Sequence, residues 1–377
     1  MVRMRSIALL FPLLARQALA YNLVREYSGL SFFDRWDFFG NWDNLTLGDV
    51  WWLDRDQAYS THLAYINANG NAILKVDDTS NVTMGDKRNS VRIMTQDTYG
   101  VGSLFIIDIV HLPFGCSVWP AFWTMGPTWP NDGEIDILEA INRMDHNQMA
   151  LHTTSGCLQS TPAYQTGETT ETDCSTAAGC TVEEQTPGSY GDAFNNAGGG
   201  VWATQFDVQG IFIWFWPRKN VPSSITSSTS TSDIDISSWG PPSASYMAAP
   251  SSPDMQGSCN ITEFFTAQKL VLDITLCGNW AGLPDVYAET CANAGPTGIC
   301  YNDNVVGDGS NYDDAYFEIP HIRTYTTGGV GPTPTPNDQA RRTSSAGETS
   351  IRLARPFGAS SWWPWSLGGI LLGLIVW

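Results

Sequence analysis

Val201-Trp202-Ala203-Thr204-Gln205-Phe206-Asp207-Val208 and, shortly after, Ile211-Phe212-Ile213-Trp214-Phe215-Trp216 are aromatic and β-branched runs. Upstream, Gly102-Ser103-Leu104-Phe105-Ile106-Ile107-Asp108-Ile109-Val110 repeats the composition. Such runs, separated by Gly, Asn, Asp and Pro, suit the pleated, buried surface of a sheet. No stretch longer than about three turns keeps a 3.6-residue apolar period, so helices are expected to be few and short. The chain reads as all-β. Its 377 residues would suggest two domains, but all-β sandwiches run to about 200–250 residues as one unit, and no linker precedes residue 328. One domain over residues 21–327 is therefore expected.

The Ser/Thr stretch from Ser223 to Ser238 interrupts the pattern, yet strand-like and cysteine-bearing sequence resumes directly after it. It is expected to be a long surface loop inside the domain. Gly328-Gly329-Val330-Gly331 and then Pro332-Thr333-Pro334-Thr335-Pro336 open an extended stalk over residues 328–346. Both ends read as targeting segments. Arg3 and Arg5, an apolar run from Ile7 to Leu14, and Ala18-Leu19-Ala20 match a secretory signal over residues 1–20, with mature protein from Tyr21. Near the other end, Ser344-Ser345-Ala346-Gly347 precede a spacer and an apolar tail from Ala359 to Trp377, with no basic cluster after it. That order matches a glycosylphosphatidylinositol signal: residues 347–377 removed, Ser345 the candidate attachment residue, the plasma membrane the partner.

Eight cysteines, at 116, 157, 174, 180, 259, 277, 291 and 300, are expected to form up to four disulfides in an exported chain. Their connectivity stays open among 105 pairings. Zinc is not indicated, because no Cys-x-x-Cys pair occurs and the five histidines are scattered. No metal site is assigned and no cofactor is required; a structural calcium is left open. Sequons beginning at Asn44, Asn81 and Asn260 are candidate glycosylation sites. A formal net charge of −19 without a Lys/Arg cluster argues against a nucleic-acid partner. A secreted monomer at the cell surface is expected.

The chemistry is expected on Gly133-Glu134-Ile135-Asp136-Ile137-Leu138-Glu139. Residues two apart on a strand share a face, so Glu134 and Asp136 agree, whereas Glu139 has the wrong parity unless the strand holds one extra residue. A β-bulge at Ile137-Leu138 would supply it and align three carboxyl groups. Such a row cannot ionise completely; one group keeps its proton near neutrality and can act as an acid while another acts as nucleophile, which is what glycoside hydrolysis requires. Four effective steps of ~3.3 Å, less ~4 Å of inward lean per side chain, leave about 5 Å between the two glutamate carboxyl groups. That is the retaining separation, with the inverting range starting only slightly wider. The alternatives are a solvated edge strand or a calcium site. Val118-Trp119-Pro120-Ala121-Phe122-Trp123 and Pro127-Thr128-Trp129-Pro130 weigh against both, because aromatic faces stack on the C–H faces of sugar rings. For each tryptophan, core packing is the competing assignment.

These residues resemble glycoside hydrolase family 16, and within it the fungal endo-1,3(4)-β-glucanases or laminarinases. The resemblance covers residues 25–327 and is most specific from Gly115-Cys116-Ser117-Val118-Trp119-Pro120-Ala121-Phe122-Trp123 through the acid strand to Leu151-His152-Thr153-Thr154-Ser155-Gly156-Cys157. It implies a concanavalin-like β-jelly-roll sandwich of two curved antiparallel sheets, with the substrate cleft on the concave face. It implies Glu134 as nucleophile, Glu139 as acid/base and Asp136 as the group that tunes the nucleophile. His152 is implied near the catalytic pair, and Trp123, Trp129 and Trp280 in sugar binding; Trp119 and Asn142 are taken as further candidate binding residues. From the residues alone, His152 could equally be a buried strand residue and Trp280 loop packing.

The six-residue acid motif looks like the laminarinase branch, whereas lichenases and the cell-wall transglycosylases of the family usually carry a five-residue form. Hydrolysis of β-1,3 or mixed β-1,3/1,4 glucan is thus implied, with β-glucan as partner and the cell surface or cell wall as the place. A transglycosylase on the same site and a non-catalytic glucan-binding protein are the rivals; the retained glutamate pair argues against the second. The sequence departs from the family pattern at Asn44-Leu45-Thr46-Leu47-Gly48, at Ser117 and at Ala140, the latter two where glycine is usual. Ser117 and Ala140 are expected to flank the cleft and narrow it.

Overall fold

A computed structural model describes residues 20–250, 252–328 and 331–334, all within one compact unit. The expected signal segment before Ala20, Ser345 and the tail over 347–377 lie outside the described residues.

Two antiparallel sheets face each other. The seven-stranded sheet runs, in spatial order, Ile234–Asp235, Ala20–Ser28, His321–Thr327, Ser103–Ile109, Gly200–Asp207, Gly210–Pro217 and Ala244–Met247. The eight-stranded sheet runs Glu168–Thr169, Cys180–Glu183, Gln148–His152, Glu134–Glu139, Val118–Met125, Lys269–Leu276, Arg92–Thr95 and Trp36–Phe38. Side chains alternate as the pleat requires. From the first sheet Phe105, Ile107, Ile109, Trp202 and Phe206 point inward; from the second come Phe122, Ile135, Leu138, Leu270, Leu272, Ile274 and Leu276. This interior is the core of a β-jelly-roll sandwich.

The apolar runs look continuous in sequence because the outer face of the seven-stranded sheet is covered too. Leu104, Ile106, Val201, Ala203 and Trp214 form a second buried cluster with Ile225, Ile234 and Trp239 of the segment that crosses over them. The Ser/Thr-rich stretch is thus held to the domain by three apolar anchors and by pairing of Ile234–Asp235 with Ala20–Tyr21. Helices are short, none of those described exceeding the eight residues of Pro284–Cys291. The stalk expected from residue 328 does not leave at once: the backbone of Thr333–Pro334 pairs with Asp97–Thr98.

All eight cysteines are paired, as Cys116–Cys291, Cys157–Cys259, Cys174–Cys180 and Cys277–Cys300. The first and last tie the helical segment after Gly278 to the ends of two adjacent strands of the site-bearing sheet, Val118–Met125 and Lys269–Leu276. At the far side of that sheet, Arg88 is buried and donates to the carbonyls of Val305, Asp77, Ser80 and Gly307, at 2.7–3.2 Å. It begins a short strand, Arg88–Ser90, that pairs with Val50–Trp52 and so supports Trp52 in the wall of the cleft. Arg88→Ala removes the donor to the carbonyls of Val305, Asp77 and Ser80, while Gly307 C=O keeps the Val82 N–H, and is expected to destabilise the fold by about 3 kcal/mol in urea unfolding. Arg88→Lys should recover little, because an ammonium cannot reproduce the planar fork.

Candidate active site

The acid strand pairs with both neighbours out of step at one place. Against Val118–Met125 the register runs Met125 to Glu134, Thr124 to Ile135 and Trp123 to Asp136, then skips to Phe122 with Leu138 and Ala121 with Glu139. Against Gln148–His152 it slips between Asp136–Ala150 and Glu139–Gln148. One extra residue is therefore accommodated at Ile137-Leu138. Glu134, Asp136 and Glu139 all line one cavity of about 180 Å³, while Ile135 and Leu138 point into the core. The cavity lies on the outer face of the eight-stranded sheet, with Trp119, Ala121, Trp123 and Met125 from one neighbouring strand and Asp273 and Thr275 from the next.

The charges in this row constrain one another. Burial, followed by the charge of Asp136, raises Glu134 well above the usual carboxylate range, and the nearby His152 and Trp129 oppose the shift. Asp136 is raised by burial and by the charge of Glu139. Its Oδ2 accepts no hydrogen bond and lies 3.3 Å from His152 Nε2. Neighbouring carboxyl groups this deeply placed hold a proton between them rather than two negative charges. Burial pushes Glu139 up to about 7, although the Trp119 indole N–H donates to its Oε1 at 2.8 Å and favours the ionised form. Trp119→Phe removes that donor and should raise the Glu139 pKa further. The basic limb of a kcat/KM–pH profile is then expected to move up by about one unit.

The structure divides the candidate binding residues. Trp119, Trp123 and Trp129 line the cavity; Trp129, 57 % exposed, is the open platform. Trp123 is fixed by its own N–H on Asp273 Oδ2 at 3.0 Å and by the Arg92 guanidinium 5.3 Å over its ring. His152 sits across from Glu134 in the ladder. Trp280 packs edge-on against Trp119 at 5.4 Å and is not among the cavity-lining residues. Asn142 does not reach the cleft. It is buried at a φ of 53°, accepts from Ser117 N–H at 2.8 Å and donates to Ala281 C=O at 3.0 Å, so it fastens a corner. Ser117 and Ala140 do not narrow the cleft either, since both are buried and Ser117 Oγ meets the Tyr312 hydroxyl at 2.9 Å. The φ of 74° at Ser117 explains why glycine suits that place.

Several cleft residues were not anticipated, among them Trp52, Met125 and the polar Asp43, Arg92, Asp273 and Thr275. Burial raises Asp273 to about 6, against the lowering effect of Arg92. Asp43 is held below the usual range in spite of burial, by hydrogen bonds from Thr46 and from Thr275 Oγ1 at 2.7 Å. It also accepts from the backbone of Leu45, Thr46 and Gly48, which fixes the loop at this end of the cleft. A Cβ on Gly48 would collide with Thr275 Oγ1, so the loop closes only with glycine there. Among the described residues, Glu134, Asp136 and His152 are a set whose donor atoms, within 4.8 Å of one another, could hold a metal ion. Two carboxylates with an imidazole are not the all-oxygen shell that calcium takes.

The model of the XgeA-like catalytic domain of glycoside hydrolase family 16 matches residues 36–325. The chain belongs to glycoside hydrolase family 16. The endo-1,3(4)-β-glucanase xgeA of Emericella nidulans is 38% identical over 331 residues, covering 86% of this chain but only 50% of that protein. The chain thus spans about half the length of that curated relative. An elongating family 16 β-1,3-glucosyltransferase is 39% identical with a TM-score of 0.73, covering 81% of this chain and 100% of that one. Laminarinase 16A from Phanerochaete chrysosporium, solved with 6-O-glucosyl-laminaritriose in donor and acceptor sites, is 32% identical with a TM-score of 0.74 over the same shares. This family 16 chain is a glycoside hydrolase with the jelly-roll fold.

Proposed function

We propose that this family 16 enzyme is a retaining endo-hydrolase of β-1,3 and mixed β-1,3/1,4 glucans. The observation that carries the reading is the one-residue bulge, which gathers Glu134, Asp136 and Glu139 on the cleft face. Glu134 attacks the anomeric carbon as Glu139, protonated up to about pH 7, gives its proton to the departing glycosidic oxygen. Asp136, the most buried of the three, retains the shared proton and leaves Glu134 free to act as carboxylate. Glu139, now ionised, takes a proton from water, which attacks the glycosyl-enzyme ester and restores the β configuration. Trp129 offers a ring face to the chain, and Trp119 and Trp123 complete the walls.

A second reading, transfer of the glycosyl unit to a sugar hydroxyl, is supported by the likeness to the glucosyltransferase. It uses the same carboxyl groups and differs only in the acceptor. The proposed setting is the cell surface, where a secreted, lipid-anchored monomer would meet wall β-glucan; four disulfides suit an oxidising compartment. Digestion of laminarin, barley mixed-linkage glucan and carboxymethyl cellulose, followed by proton NMR in the first minutes, tests the reading. Shortened β-configured products from the first two alone are expected. α-Configured first products would exclude retention, and products longer than the substrate would favour transfer.

A further inference from the structure

A bulge leaves a gap in the ladder that something must fill. Between the pairs Asp136–Ala150 and Glu139–Gln148, two residues of the acid strand oppose one of its neighbour, so backbone groups there have no strand partner. Asn147, the residue just before the neighbouring strand Gln148–His152, reaches into that gap. Its Oδ1 accepts the Glu139 N–H at 2.9 Å and its Nδ2 donates to the Ile137 C=O at 3.0 Å. A primary amide carries the same donor and acceptor as a peptide unit, so the side chain acts as a substitute peptide across the bulge. Asn147 is itself 0% exposed and anchored on both sides. Its N–H donates to Ser189 Oγ at 2.9 Å and its C=O accepts from Glu184 N–H at 2.9 Å.

We propose that Asn147 is the positioning residue of Glu139: by bridging Ile137 C=O and Glu139 N–H it fixes the extra residue that turns Glu139 onto the cleft face. Without the bridge the bulge is free to migrate or relax, and a slip of one residue would turn Glu139 toward the core. Asn147 touches none of the cavity and acts only through the backbone of Glu139. The inference rests on the reading of Glu139 as acid/base.

The test compares Asn147→Ala, Asn147→Asp and Glu139→Ala with the wild-type chain on laminarin and on an aryl β-laminaribioside whose leaving group needs no proton. A misplaced acid should lower kcat on laminarin about 10²-fold with KM within two-fold, and lower the release of the aryl group much less. Asn147→Asp keeps the acceptor for Glu139 N–H but, when ionised, sets a negative charge beside Ile137 C=O and near Glu139. It should show the same selectivity and a basic pH limb displaced upward, and it is nearly isosteric should Asn147→Ala fail to fold. Equal losses on both substrates, matching the fraction of folded protein, or unchanged kinetics in Asn147→Asp, would overturn the proposal. If Glu139→Ala itself shows no leaving-group selectivity, the acid/base reading fails and the proposal with it; selectivity in Glu139→Ala but not in the Asn147 variants overturns the proposal alone.

Discussion

Glu134→Gln is expected to stop turnover of laminarin, lowering kcat by at least about 10⁴-fold while glucan still binds. Glutamine keeps the shape of the side chain in a crowded row but has no carboxylate to form the glycosyl ester. Asp136 is not placed to substitute: it is 3% exposed and its Oδ2 faces His152 at 3.3 Å. Binding should persist because Trp119, Trp123 and Trp129 are untouched; calorimetry with a laminarin oligosaccharide separates the two effects. A second observable comes from Glu134→Ala, where azide can enter from the vacated face. With an activated aryl glycoside it should give the α-glycosyl azide, the configuration that follows from attack on the Glu134 side. A near wild-type rate in Glu134→Gln would sink the nucleophile assignment.

The same cluster shows why much of the site was legible in the sequence and part was not. The bulge could be read because parity is a hard constraint: a strand bearing acids at 134, 136 and 139 cannot present all three without one extra residue. The tryptophans beside it were legible as a group, but their individual duties depend on where each indole N–H ends. Trp119 serves Glu139 and Trp123 serves Asp273, and neither partner is near in sequence. Asp273 left a faint trace, as an acid alternating with apolar residues in Leu270-Val271-Leu272-Asp273-Ile274-Thr275-Leu276. Arg92, a lone cation between Val91 and Ile93, left another.

Asn142 misled for a physical reason. An asparagine shortly after a catalytic strand looks like a sugar ligand, but asparagine also tolerates a left-handed backbone and can satisfy two peptide groups at once. Here it does both, at φ 53° between Ser117 and Ala281. Disulfide pairing was out of reach because it depends on Val118–Met125 lying beside Lys269–Leu276, a contact between distant segments that brings Cys116 and Cys277 to one end of the sheet. Asn147 left no usable signal: a buried asparagine between two elements reads as a turn until the gap it fills is seen.

Glu139→Ala is expected to lower kcat on laminarin by about 10²–10⁴-fold, and much less on aryl glycosides with good leaving groups. The asymmetry arises because the acid matters in proportion to the basicity of the departing oxygen. A sugar hydroxyl needs its proton in the transition state, whereas a nitrophenolate does not. With the base also missing, water attacks the ester slowly, so an aryl substrate should give a burst equal to the enzyme concentration before a slow steady state. The pH dependence supplies the sign. Glu139 works in its protonated form, so the wild-type kcat/KM should fall as pH rises through about 7. Burial sets that value first; Trp119 and His152 lower it, and the charges of Glu134 and Asp273 raise it. In Glu139→Ala this basic limb should vanish from the aryl glycoside profile while the acid limb, set by the Glu134–Asp136 pair, remains. A basic limb that survived unchanged would have to belong to another group in the cleft. Asp273, raised to about 6, would be the first to replace, and the acid/base role of Glu139 would be refuted.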